Sequence, residues 1–175
     1  AAAQSNLQGL TFTPTENQVA PASTVVTTFT LTPSDAENGS SNATTVITAT
    51  SINDAPTVSG VPASVTVTED SVSSIDLSAV SLADVDSVSA TVTLTASSGT
   101  FAVPADGAAV GSGVLESLLS ATSITLAGSV ADINTYLDTT SNLQYTGPSN
   151  LNGNAAATLT ISASDGSLLL ASDPL

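Results

Sequence analysis

Threonine and aliphatic residues alternate along most of this chain, and that period of two constrains the fold more than any other feature. Successive side chains of a β-strand point to opposite faces, so SATVTLTA (89–96) places Ala90, Val92, Leu94 and Ala96 on one face and hydroxyls on the other. A helix would spread the same residues around its whole circumference. The pattern recurs in LTFT (10–13), TVVTTFTLT (24–32), ATTVITATSI (43–52), ASVTVT (63–68), SITLAG (123–128) and AATLTISAS (156–164). Clusters of Pro, Gly, Asn and Asp separate these runs, as turns between strands require. The expected class is all-β and antiparallel.

One segment departs from that period. SVADINTYLD (129–138) sets Val130, Ile133 and Leu137 on one helical face, with Ser129 as N-cap and Asp132 three residues on. It is expected to be a short helix crossing between strands. VLESLLS (114–120) reads as a further turn of helix.

Charge narrows the function classes. Fifteen Asp and Glu face no Lys, Arg or His, a net charge of -15 in 175 residues. No salt bridge between side chains can form, and phosphate backbones and anionic headgroups are repelled, so neither nucleic acid nor membrane insertion is expected. Cations remain as the balancing species. The longest aliphatic run, Leu168–Ala171, is far too short for a membrane span, and any export signal is expected to lie elsewhere. Without His, Cys or Lys there are no nucleophilic triads, Schiff bases or thiolate metal sites. A carbohydrate cleft with paired carboxylates fits poorly with two Tyr, three Phe and no Trp. The expectation is that the protein is not an enzyme, and that even its unfolded chain resists trypsin.

The sequence also repeats itself. FTLTPSD (29–35) matches LTISASD (159–165) at an offset of 130 residues, and LTFT (10–13) matches LQYT (143–146) at 133. Residues 1–55 then read as the C-terminal half of one repeat and 56–175 as a second, nearly complete one, a slice of something longer. The joint between them is SINDAPTVSG (51–60), where Asn and Asp fold back on nearby backbone and Pro fixes the direction of the next strand.

That joint resembles the interdomain linker of cadherins and bacterial cadherin-like repeats, with its Asn-Asp pair followed by a small residue and Pro. LADVDS (82–87) looks like the family's Asp-x-Asp motif, SASDG (162–166) like its Ala-x-Asp-x-Gly motif, and VTED (67–70) like its early acidic position. ITLAGSVADINTYLDTTSNLQYTG (124–147) is similar to a strand–helix–strand segment in the tandem Ig-like repeats of very large secreted bacterial adhesins. The fold this implies is an antiparallel Greek-key β-sandwich, cadherin-like or Ig-like, with one short crossover helix. The cofactor it implies is calcium, held by Asn53, Asp54, Asp84, Asp86 and Asp165, with Glu16 as the upstream contributor; Glu69 and Asp35 would serve neighbouring joints. The linker reads Asn-Asp-Ala where the family has Asn-Asp-Asn, and Arg is absent from the chain, so the family's Asp-Arg-Glu element has no counterpart.

The residues themselves leave alternatives open. Asp54 before Ala-Pro also suits a simple turn, and Asp84 and Asp86, either side of Val85 in a strand, would share a face turned to metal or to solvent. Thr-x-Thr rows suit a carbohydrate- or ice-facing array as well as an ordinary exposed strand face. The function expected from the resemblance is a calcium-stiffened spacer of a secreted or surface-anchored adhesin, in contact with neighbouring repeats. The alternative is a self-assembling extracellular fibre, in which copies associate head to tail and one chain's partial repeat completes the next chain's core by strand addition.

Overall fold

A computed structural model of the chain describes residues 7–32, 43–102, 113–151, 153, 156–166 and 173–174. Asp35 and Leu168–Leu170 lie outside the described residues. The chain divides into two compact units, Ala1–Asn53 and Asp54–Leu175.

The first unit is a two-stranded antiparallel ribbon of β1 (Thr24–Leu31) and β2 (Ala43–Thr50). Cross-strand pairs share a face, so Val25, Thr27, Phe29 and Leu31 lie beside Ala49, Ile47, Thr45 and Ala43. That face is the more apolar of the two, yet no described residue of the unit is buried. LTFT (10–13), expected as a strand, joins no ladder among the described residues; Phe12 instead sets its ring edge-on to Phe29, centroids 5.0 Å apart.

The second unit carries the core. Its strands are β3 (Thr57–Ser59), β4 (Val72–Ser74), β5 (Ser81–Ala83), β6 (Ser89–Ala96), β7 (Thr100–Phe101), β8 (Leu115–Ser120), β9 (Ser123–Ser129), β10 (Gln144–Thr146), β11 (Leu159–Ser164) and β12 (Asp173–Pro174). They form a five-stranded sheet in the order β12-β11-β6-β9-β8, a three-stranded sheet β4-β10-β7 and a pair β3-β5. Every pairing is antiparallel. The class is therefore all-β, in several antiparallel sheets with one short helix.

Alternation does what the sequence asks of it. Val92 and Leu94 of β6, Leu126 of β9 and Ile161 of β11 are fully buried, and Phe101 of β7 and Tyr145 of β10 join them in one cluster. Residues of both larger sheets thus share a single core. Tyr145 meets Phe101 edge-on at 5.5 Å, and burial raises the pKa of its phenol. The helix α1 (Val130–Leu137) is capped by Ser129, whose hydroxyl accepts the Asp132 N–H and donates to the Asp132 carboxylate. Its Ile133, Tyr136 and Leu137 close the core. Burial, and then the nearby Glu116, hold the Tyr136 phenol protonated far above its ordinary range.

Two local expectations are corrected. Residues 114–120 are not helical: Leu115–Ser120 is β8, laddered to β9, because Leu115, Ser117 and Leu119 turn outward while Glu116 and Leu118 turn partly in, a period of two. ASVTVT (63–68) runs without a ladder among the described residues, although Val65 and Val67 still pack on the core. The two units also share a register. Thr30 pairs with Thr44 and Leu31 with Ala43; 130 residues on, Thr160 pairs with Pro174 and Ile161 with Asp173.

Candidate metal centre

Fixing Asp84 begins one residue pair upstream. The Leu82 N–H donates to Asn134 Oδ1 at 2.8 Å, and Asn134 Nδ2 donates back to the Leu82 carbonyl at 2.9 Å, so α1 clamps β5 by its backbone. The chain leaves β5 at Ala83 and turns at once. Asp84 Oδ1 accepts the Asp86 N–H at 3.1 Å and the Ser87 N–H at 2.8 Å, so the tripeptide is an Asx turn and not a strand. The turn sends Val85 outward, 66% exposed, and brings the two carboxylates round together. Asp86 Oδ2 accepts the Asp54 N–H at 3.0 Å, tying the start of the second unit to the same turn. Two residues later Pro56 is fully buried, which fixes how the chain enters β3.

Asp165 arrives from the other direction, at the end of β11. Ser164 accepts the Gly166 N–H on its hydroxyl at 3.0 Å, and Gly166 takes φ 94, a conformation open to glycine and costly for other residues. Carboxylate oxygens of Asp84, Asp86 and Asp165 all lie within 4.8 Å of one another, and all three residues are half-buried. These three form a group that can hold a metal ion.

The state of the remaining oxygens gives this grouping its force. Asp84 Oδ2 and Asp86 Oδ1 are buried with no hydrogen-bond partner. Buried polar atoms are almost always satisfied, and an unsatisfied carboxylate oxygen is among the most costly exceptions. No Lys, Arg or His exists to supply a counter-charge. Two other acids of the unit are satisfied locally: the Asp132 carboxylate accepts the Ser129 hydroxyl, and exposed Asp76 accepts both the hydroxyl and the N–H of Ser78. The donors offered by the group are oxygens alone, which suits a hard cation of the calcium or magnesium kind over zinc or copper.

Of the residues singled out in the sequence, Asp84, Asp86 and Asp165 are brought together, and Asp54 contributes its backbone N–H. Asn53 and Glu16 belong to the first unit; Glu16 is exposed. Glu69 is exposed in the turn before β4. Asn134 was missing from the sequence reading. Its signal was there to see: a polar amide at the helical position shared with Val130 and Leu137, on a face otherwise apolar.

Among the described residues, no helix is long and apolar enough to cross a membrane. No known family, no curated protein and no solved structure matches this chain.

Proposed function

We propose that the second unit is a calcium-binding structural repeat, a Greek-key β-sandwich of the cadherin-like kind, serving as a spacer in a large secreted or surface-anchored bacterial adhesin. The observation that carries this reading is the pair of buried, partnerless oxygens, Asp84 Oδ2 and Asp86 Oδ1, in a group with Asp165. Such a group repels itself until a cation enters, and the cation then ties the turn after β5 to the end of β11. Asp84, Asp86 and Asp165 supply three of the six to eight oxygens calcium takes. Asp54, whose N–H is already held by Asp86, is the natural source of a further oxygen. The role is mechanical, with no chemical step.

The test is calorimetry of the whole chain with calcium, alongside thermal melts. Calcium is expected to bind and to raise the melting temperature, by about 2.7 kcal/mol of stability at a concentration 100 times the Kd. Asp84→Asn with Asp86→Asn removes both effects. Magnesium, which resists dehydration and demands a tighter octahedron, binds more weakly. Absence of calcium binding up to millimolar concentration, or a double variant that titrates like the parent, rejects the reading.

A further inference from the structure

We propose that the Asp165–Gly166 bond is a modification site, where the chain isomerises to isoaspartate through a succinimide, and that a cation held by the acidic group prevents the reaction. This rests on the calcium reading above and adds what becomes of the group when it stays empty.

An aspartate closes a five-membered imide when the backbone nitrogen of the following residue attacks its Cγ, and any side chain on that residue crowds the attack. Asp84 is followed by Val85 and Asp86 by Ser87, whereas Asp165 is followed by glycine. The surroundings are open as well: a Cβ built on Gly166 would meet no described atom within 4 Å. A larger residue cannot block the bond, because Gly166 takes φ 94 in the turn that leaves β11. Its N–H donates to Ser164 Oγ at 3.0 Å and the residue is exposed, so the proton lost in the attack has a path through the hydroxyl to water.

The step needs only the chain and water. The Gly166 nitrogen bonds to Asp165 Cγ and loses its proton, and one carboxylate oxygen leaves as water with that proton and one from solvent. Water then opens the imide. Addition at the main-chain carbonyl of residue 165 leaves the backbone running through Cγ, which is isoaspartate, and addition at Cγ restores aspartate. Nothing is oxidised or reduced, and the net mass is unchanged. Isoaspartate lengthens the backbone by a methylene and makes the former main-chain carbonyl the free carboxylate, which no longer meets Asp84 and Asp86.

Occupancy of the group decides whether the step starts. With a cation bound, Asp165 is ligated beside Asp84 and Asp86, so its Cγ is held in the group and its oxygens cannot leave as water. With the group empty, the Asp84 and Asp86 carboxylates repel that of Asp165, and no basic side chain exists in the chain to offset them. Rotamers outside the group then gain population. The rate follows the unoccupied fraction, falling about a hundredfold at a calcium concentration 100 times the Kd. A repeat that stays empty is slowly converted into one that no longer binds.

The experiment incubates the whole chain at neutral pH and physiological temperature, with calcium well above the Kd from calorimetry and in parallel with chelator. Trypsin has no site in the chain, so elastase peptides are sequenced by electron-transfer dissociation, which tells isoaspartate from aspartate by its backbone fragments. Asp106–Gly107, the other Asp-Gly pair of the sequence, is read in the same digest as a reference. Isoaspartate is expected at 165 under chelator and about a hundredfold more slowly at 100 times the Kd of calcium, with the rate at 106 unchanged. Asp84→Asn with Asp86→Asn should restore the chelator rate in the presence of calcium, and chains isomerised at 165 should have lost calcium binding. No isoaspartate at 165 under chelator, calcium slowing 106 as much as 165, or an isomerised chain that binds calcium like the parent each overturns the proposal. Calcium that binds by calorimetry yet leaves the rate at 165 unchanged sinks this gate alone, whereas absence of binding sinks the metal reading and the gate but not the modification site.

Discussion

The two units are written in the same alphabet of Thr and aliphatic residues, and they end in different physical states. Leu31 in β1 and Ile161 in β11 lie 130 residues apart and pair in the same register, yet Leu31 is 46% exposed and Ile161 is fully buried. Pairing across the ladder is alike in both. What differs is the layer beneath. Ile161 belongs to a buried cluster that draws side chains from β6, the three-stranded sheet and α1, whereas among the described residues of the first unit the ribbon has no second layer. Period-two alternation therefore decides that a segment is a strand and which face is apolar; burial needs a second layer, and only that layer turns an apolar face into stability.

The largest effect that can break this comparison is a matched pair of truncations. Ile161→Ala is expected to cost about 2–5 kcal/mol, from lost burial plus the cavity left behind. Leu31→Ala at the equivalent position should stay within about 0.5 kcal/mol. Urea denaturation of the whole chain, followed by near-UV circular dichroism, separates the units because both tyrosines, Tyr136 and Tyr145, lie buried in the second. Comparable costs at the two positions would show that the ribbon finds a packing surface in solution and that the contrast between units is false.

Residues that differ between expectation and structure show where the sequence is legible. The long strands β1, β2, β6, β9 and β11 were readable because six or more alternating residues leave no competing period. LQYT (143–146) and LTFT (10–13) look alike, but Tyr145 has Ser73 and Phe101 as cross-strand partners and the residues of LTFT have none described. A four-residue pattern cannot announce whether a partner exists. VLESLLS misled because leucines at 115, 118 and 119 satisfy a helical spacing, whereas in the strand Leu115 and Leu119 face outward and Leu118 partly in, and the pairing with β9 settles it. Strands of two or three residues, such as β3, β5 and β7, are defined by their neighbours more than by themselves. At the acidic group, Asp-Val-Asp announced carboxylates on one side of the chain, and the Asx turn delivers that by a route the alternation argument did not contain.

A smaller effect sharpens the contrast at the acidic group. Asn134→Ala removes two hydrogen bonds to Leu82 and leaves its backbone N–H and C=O, on a fully buried residue, unpaired. About 1–3 kcal/mol of stability should go with them. Since β5 ends one residue before Asp84, the proposed calcium affinity should fall too, although the Asn134 side chain bonds Leu82 and not the acidic group. Isothermal titration of the variant, at a temperature where it is fully folded, checks this. Unchanged affinity would mean that the turn at Asp84–Ser87 holds the carboxylates without help from the helix.

The smallest expected effect lies at Asp76, whose carboxylate accepts the Ser78 hydroxyl at 2.7 Å and the Ser78 N–H at 3.0 Å. Those two bonds, the hydroxyl first and the backbone second, hold its pKa below the ordinary 3.8. A depressed folded value means that the ionised form favours the fold, so its contribution is complete above the unfolded pKa and is lost as pH falls through the lower, folded one. Asp76 is fully exposed, so solvent screening keeps the effect slight. Asp76→Asn should therefore flatten a small part of the acid limb of the stability curve below about pH 4 and leave the neutral plateau almost unmoved. Melts with tyrosine circular dichroism, run with chelator so that the metal group does not contribute, isolate this limb. A variant whose acid limb overlays the parent's would show that the two Ser78 bonds do not persist in solution, and that this turn of the second unit is as loosely held as the ribbon of the first.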